Sequence, residues 1–147
     1  MKNTGDILIL EQFLPYRLNQ LSESISLKFA LLYKRDFGMT RPEWKTLATL
    51  GQHQQLTSTQ IGSLTRMHKT KVSRAVHALA KRGWLNRERD IDDRRVEFLR
   101  LTPKGLKNYA KLIELACGFE NELISHLDET AYATVQEALF VLEKLDI

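Results

Sequence analysis

Residues 57–84 read TSTQIGSLTRMHKTKVSRAVHALAKRGW, and the punctuation of this stretch decides the fold. Thr57 and Gln60 have capping-box spacing. The Thr57 hydroxyl accepts the amide proton of residue 60, and the Gln60 side chain reaches back to the amide of residue 57. Leu56 and Ile61 flank the cap at the positions of a hydrophobic staple. This predicts a short helix with Ile61 and Leu64 as its apolar contacts, then a break over Thr65–His68. A longer helix is expected from about Lys69 to Arg82. Val72, Ala75, Val76 and Leu79 recur at helical period and form its buried stripe. Lys69, Thr70, Lys71, Ser73, Arg74 and His77 fall on the opposite side. Lys81 and Arg82 complement the C-terminal dipole, and Gly83 ends the helix. No Asp or Glu occurs between Ile61 and Arg87, whereas a plain amphipathic surface helix mixes both signs. Hydroxyls and cations on one face, free of acids, suit phosphates and base edges in a DNA groove.

Downstream, two extended runs, Trp84–Arg89 and Val96–Leu101, flank the charged segment 90–95. They predict a β-hairpin with a charged tip. Thr102 and Pro103 then form an N-cap and a proline at the first helical position. A fifth helix should run to about His126, with Leu106, Tyr109, Ala110, Ile113, Ala116, Cys117 and Leu123 or Ile124 inward. Asp128 should cap a sixth helix carrying Val135, Leu139, Leu142 and Leu145. Upstream, Thr40 and Glu43 form another capping box, with Pro42 in the first turn. The helix it opens should reach about Gly51 and bury Trp44, Leu47, Ala48 and Leu50. Residues 7–36 carry the first long helical pattern, from Leu10 and Phe13 to Phe29 and Leu32. Pro15 should start or kink it, and Gly38 should stop it. The expected fold is mainly α with a small β-hairpin wing (α+β), a winged helix-turn-helix without repeats or a flexible linker.

The chain has 147 residues and a formal net charge of +4. Its 43% hydrophobic and 27% charged residues exclude disordered and low-complexity classes. The single Cys117 excludes an internal disulfide and a Cys-based zinc site. No run approaches the roughly 20 apolar residues of a membrane span, and Ile7–Leu10 is too short for a signal peptide. A soluble, cytoplasmic protein is expected. The charge is uneven: residues 58–101 carry 11 basic and 5 acidic side chains, whereas residues 102–147 carry 4 and 8. Half of all Lys and Arg thus lie in 44 consecutive positions, the footprint of a nucleic-acid site.

These segments together resemble the MarR family of bacterial transcription regulators. The resemblance rests on the run 44–50, on Leu56–Gly62, on Lys71–Leu85, on Asp92–Arg95 and on Leu101–Gly105, and it extends over essentially the whole chain. Its most specific part is Asp-x-Arg at Asp93–Arg95 ahead of Leu-Thr-x-x-Gly. The resemblance implies a homodimer built by helices within 7–37 and 103–147, with residues 40–102 as the DNA-binding lobe of one continuous fold. It implies that the helix bearing Lys69, Thr70, Lys71, Ser73, Arg74 and His77 enters the major groove of double-stranded DNA. Arg95 would enter the minor groove, with Arg94 beside it and Asp93 as brace. An Arg on a projecting hairpin suits the negative potential of a narrow A·T-rich groove; the plainer reading is a solvated turn paired with Asp92 and Asp93. Two-fold symmetry calls for a pseudo-palindromic operator with half-sites about 34 Å apart. The resemblance also implies a nucleoid-associated repressor responsive to a small aromatic or anionic effector. Tyr16, Arg17, Tyr33, Trp44 and His53 lie on the helices that would line its pocket, although each also reads as ordinary core or surface. Arg17 stands out, because a guanidinium buried in an apolar pattern needs an anion. Cys117 reads as a small core residue.

No enzyme is expected. The four histidines lack metal spacing, and no catalytic residues, metal or cofactor follow from the motifs. The alternative is a winged-helix protein-interaction module without specific DNA binding, which would have no need of the basic helix face.

Overall fold

The computed structural model describes residues 5–146. Ile147, the last residue of the expected C-terminal segment, lies outside them. After a 3-10 turn at Leu10–Gln12 come α1 (Leu14–Phe37), α2 (Arg41–His53), β1 (Gln55–Thr57), α3 (Ser58–Thr65) and α4 (Lys69–Lys81). They are followed by β2 (Leu85–Arg89), β3 (Glu97–Leu101), α5 (Pro103–Ser125) and α6 (Glu129–Glu143). Packing divides the chain into two compact units, one reaching Leu112 and one beginning at Ile113.

The caps act where the side chains dictate. Pro15 lies in the first turn of α1, where its missing amide proton costs no helical bond. The regular helix therefore begins at Leu14, and the apolar residues 7–9 precede it rather than join it. Both expected capping boxes are complete, at Thr40/Glu43 and Thr57/Gln60, and Asp128 accepts the Ala131 amide at 2.7 Å. Gly38 ends α1 in the left-handed region. Thr102 receives the Gly105 amide at 3.0 Å at the start of α5. A Cβ on Gly105 would fall 1.9 Å from the Trp84 carbonyl oxygen, so any side chain there would push the start of α5 off the residue that leads into β2.

The sheet has three antiparallel strands in the order β1-β3-β2, not the hairpin alone. Leu56 pairs with Leu99 between β1 and β3, and Leu85 pairs with Leu101 between β2 and β3. Leu56, which precedes the α3 cap, is therefore also a strand residue. The core lies where α2, α3 and α4 meet this sheet, and α2 packs most extensively against α4. Leu47, Leu50, Ile61, Val72, Val76, Leu79 and Leu99 are fully buried there. Each contributes roughly 1.5–3 kcal/mol of apolar burial.

Several expected core positions differ. Leu64 is exposed near the end of the eight-residue α3, and Ile61 alone of the two expected contacts is buried. In α2, Trp44 and Ala48 are half-buried, while Thr46 and Glu43 are buried. Thr46 satisfies its hydroxyl on the Pro42 carbonyl at 2.8 Å, and Glu43 receives the Thr40 amide at 3.0 Å. In α5 only Gly105 and Leu112 are buried; Leu106, Ala110, Ile113, Cys117 and Leu123 are exposed, contrary to the expected inward stripe. No residue of α6 is buried, and Leu139, Phe140, Val141 and Leu145 lie open. The stripes exist in the sequence, but a single chain does not cover them.

Candidate nucleic-acid interface

The helix-turn-helix is built from α3 and α4. Arg66 caps α3 in the left-handed region (φ 56°), which turns the chain sharply before Met67. His68 is the N-cap of α4: its Nδ1 accepts the Thr70 amide at 3.2 Å. The C-terminus of α4 carries a Schellman pair, with the Gly83 amide on the Ala80 carbonyl at 2.9 Å and the Trp84 amide on the Leu79 carbonyl at 3.0 Å. Gly83 supplies the positive φ of 77° that this ending requires.

Between these ends, α4 divides as its period predicts. Val72, Ala75, Val76 and Leu79 are buried, and Lys69, Thr70, Lys71, Ser73, Arg74 and His77 are all exposed. A rigid, apolar-backed helix therefore presents an unbroken face of cations and hydroxyls. Beside it, a groove of about 330 Å³ is lined by Ser58, Thr59, Gly62, Ser63, Met67, Lys69 and Val72. It brings the hydroxyl-bearing residues of α3 next to Lys69. Their signal in the sequence is the Thr57 cap, which places Ser58 and Thr59 in the first turn of α3.

The wing is a closed turn. The Asp90 amide donates to the Val96 carbonyl at 2.9 Å, and the Val96 amide to the Asp93 carbonyl at 3.0 Å. The Asp93 carboxylate accepts both the backbone amide and the guanidinium Nε of Arg95, each at 3.1 Å. The Arg95 guanidinium, with its backbone amide second, holds the Asp93 carboxyl below the usual aspartate range. The Arg95 side chain is nonetheless 92% exposed, and Arg94 is exposed beside it. At the base of the wing, Arg87 forks onto Glu97 through two bonds of 3.0 Å. That cross-strand pair ties β2 to β3 but is solvent-screened and adds little energy.

The five residues expected around an effector do not converge within one chain. Tyr16 and Arg17 line a surface groove of about 460 Å³ with Glu11, Leu14, Leu18, Gln20 and Leu21. Arg17 is exposed, so the expectation of a buried guanidinium there is not met. Helix α1 carries its side chains outward at this end, because the lobe packs only against the other. Tyr33 lies about 25 Å further along α1, from the 1.5 Å rise per residue. It is buried in an aromatic cluster, its ring 5.9 Å from Trp44 and 5.3 Å from Phe29. Arg41 borders this cluster. The Glu23 carboxylate, and then the Tyr33 phenol, raise its guanidinium pKa above the usual value. His53 is exposed at the far end of α2. Cys117 is an exposed free thiol rather than a core residue.

Among the described residues no group of three or more His, Cys, Asp or Glu could hold a metal, and no helix is long and apolar enough to cross a membrane.

Residues 39–96 match the family model described as MarR family. The chain is 27% identical over 116 residues to an HTH-type transcriptional regulator of Bacillus subtilis, YwoH, covering 79% of this chain and 83% of that protein. The structure of a MarR family transcriptional regulator from Silicibacter pomeroyi superposes with a TM-score of 0.76 at 28% identity, over 92% of this chain and 90% of that one. The Staphylococcus aureus MepR–DNA complex superposes with a TM-score of 0.77 at 25% identity, over 89% of this chain and 97% of that one.

Proposed function

From the match of residues 39–96 to the MarR family model, we propose that the chain is a member of that family and regulates transcription by binding a pseudo-palindromic DNA operator as a homodimer. The observation that carries this reading is the face of α4: six exposed hydroxyl, imidazole or cationic side chains over a fully buried apolar stripe. That helix enters the major groove, with Arg74 and the lysines on phosphates and base edges. Arg95, steered by Asp93, enters the flanking minor groove with Arg94 beside it. A relative solved with DNA, MepR, supports the same use of the lobe. The dimer reading is supported by the apolar side chains that one chain leaves open on α1, α5 and α6.

The regulator acts in the cytoplasm on the nucleoid, as a repressor and without catalysis. A small aromatic or anionic effector releases it by moving α1 and α2, which carry Tyr16, Arg17, Tyr33, Trp44 and His53. The aromatic cluster bordered by Arg41 supports that placement.

Selection from duplexes randomised over about three helical turns tests the reading. Enrichment of an inverted repeat with half-site centres about one turn apart is the expected result. Recovery of no common sequence would contradict specific DNA binding and favour a protein-interaction module.

A further inference from the structure

By sequence Arg82 is one of two charges at the C-terminus of α4, but its side chain leaves that helix. Nη1 donates to the Phe37 carbonyl at 2.6 Å and Nη2 to the Gly38 carbonyl at 2.9 Å. Both acceptors belong to the end of α1, where helical carbonyls have no partner of their own. The same guanidinium lies 3.7 Å from the buried Glu43 carboxylate and 4.8 Å from the centre of the Trp84 ring. Glu43 is the capping-box residue of α2, and the Trp84 ring meets the Phe37 ring edge-on at 6.4 Å. One side chain thus joins the end of α1, the start of α2 and the residue leading into β2. Its own backbone is held on the last turn of α4, where the Arg82 amide donates to the Ala78 carbonyl at 3.1 Å.

We infer that Arg82 is a positioning residue for DNA recognition, setting where α4 stands relative to the end of α1 without itself contacting DNA. The inference rests on the reading of α4 as the DNA-facing helix. A planar guanidinium bonded at two nitrogens leaves little slack, which a single ammonium does not match. Displacement at the end of α1 therefore passes to α4. Because α1 also carries the open apolar side chains through which two chains would join, this link sets the separation of the two recognition helices in the dimer. A specific operator depends on that separation; non-specific phosphate binding does not.

The test uses the full chain, the duplex that the wild-type protein enriches from the randomised pool, and an unrelated duplex of equal length. Affinities of wild type, Arg82→Ala, Arg82→Gln and Arg82→Lys are measured over a salt series. Arg82→Ala is expected to weaken binding to the enriched duplex roughly tenfold or more, the scale of lost charged hydrogen bonds. Binding to the unrelated duplex and the slope of log affinity against log salt should stay at wild-type values. Arg82→Lys keeps the charge but loses the fork, so it should recover less than half of the loss on a logarithmic scale. Should Arg82→Ala not fold, Arg82→Gln and Arg82→Lys carry the same comparison. Unchanged affinity, an equal loss on both duplexes, a slope smaller by the ~0.9 of one phosphate contact, or full rescue by lysine would each overturn the inference. A wild-type protein that enriches no sequence would instead contradict the DNA reading itself, and the inference would fall with it.

Discussion

Between Met39 and Leu101 most large apolar side chains are buried, and the exposed face of α4 is cationic. In α6 no side chain is buried, and Leu139, Phe140 and Val141 face outward. The difference lies in what each region can complete alone. The lobe closes its own core with three short helices and a small sheet, and spends its surface on charge. The outer helices carry apolar stripes that one chain leaves open, and residues 102–147 have an acidic rather than a basic excess. Burial and charge thus separate a lobe with a buried core and a cationic face from helices whose apolar side chains one chain leaves open.

Leu139→Glu strikes the second region and carries the largest expected effect. A charge within a dimer stripe should give a monomeric mass by light scattering and abolish operator binding, while the lobe keeps its helices by circular dichroism. A dimer of unchanged mass would remove α6 from the interface. Leu79→Ala strikes the core of the first region. It should cost about 2–5 kcal/mol in denaturant unfolding, because the site is fully buried between α4 and its neighbours. Thr57→Ala removes one capping oxygen at the start of α3 and should cost about 1 kcal/mol, read from the same unfolding curves. The smallest effect is a titration. The Asp93 carboxyl is held below its ordinary range by Arg95, so its contribution to wing order is fully present above that range. It is lost only as pH falls through the lowered value, and nothing should change near neutrality. Carboxyl NMR should show Asp93 titrating low in the wild type and rising to the ordinary aspartate range in Arg95→Ala. An unmoved Asp93 would break the pairing.

Much of the lobe was legible in advance, because its signals are local. The Thr40 and Thr57 caps and the stop at Gly83 each depend on residues a few positions apart, as do the Gly38 stop and the Asp128 cap outside it. The face of α4 follows from a strict helical period. What the sequence hid depends on distant partners. Strand β1 is only three residues long and pairs with Leu99, more than forty positions away, so no alternation announces it. Arg82 reads as a helix-end charge, whereas its acceptors lie 44 and 45 positions upstream. The stripes of α5 and α6 are apolar in the sequence, but periodicity shows only that a face is apolar and not what covers it. The same limit scattered the effector candidates: a helical pattern places Arg17 and Tyr33 on one helix without stating that its length keeps them apart.

Hydroxyl-radical footprinting of the enriched duplex tests the central claim most directly. Wild-type protein should protect two symmetric segments about one helical turn apart, with flanking minor-groove protection on each side. Arg95→Ala should lose the flanking protection, keep the central segments and bind roughly tenfold or more weakly, on the scale of one specific Arg contact. A single asymmetric footprint, or flanks that persist in Arg95→Ala, would contradict a dimer that reads DNA with α4 and its wing.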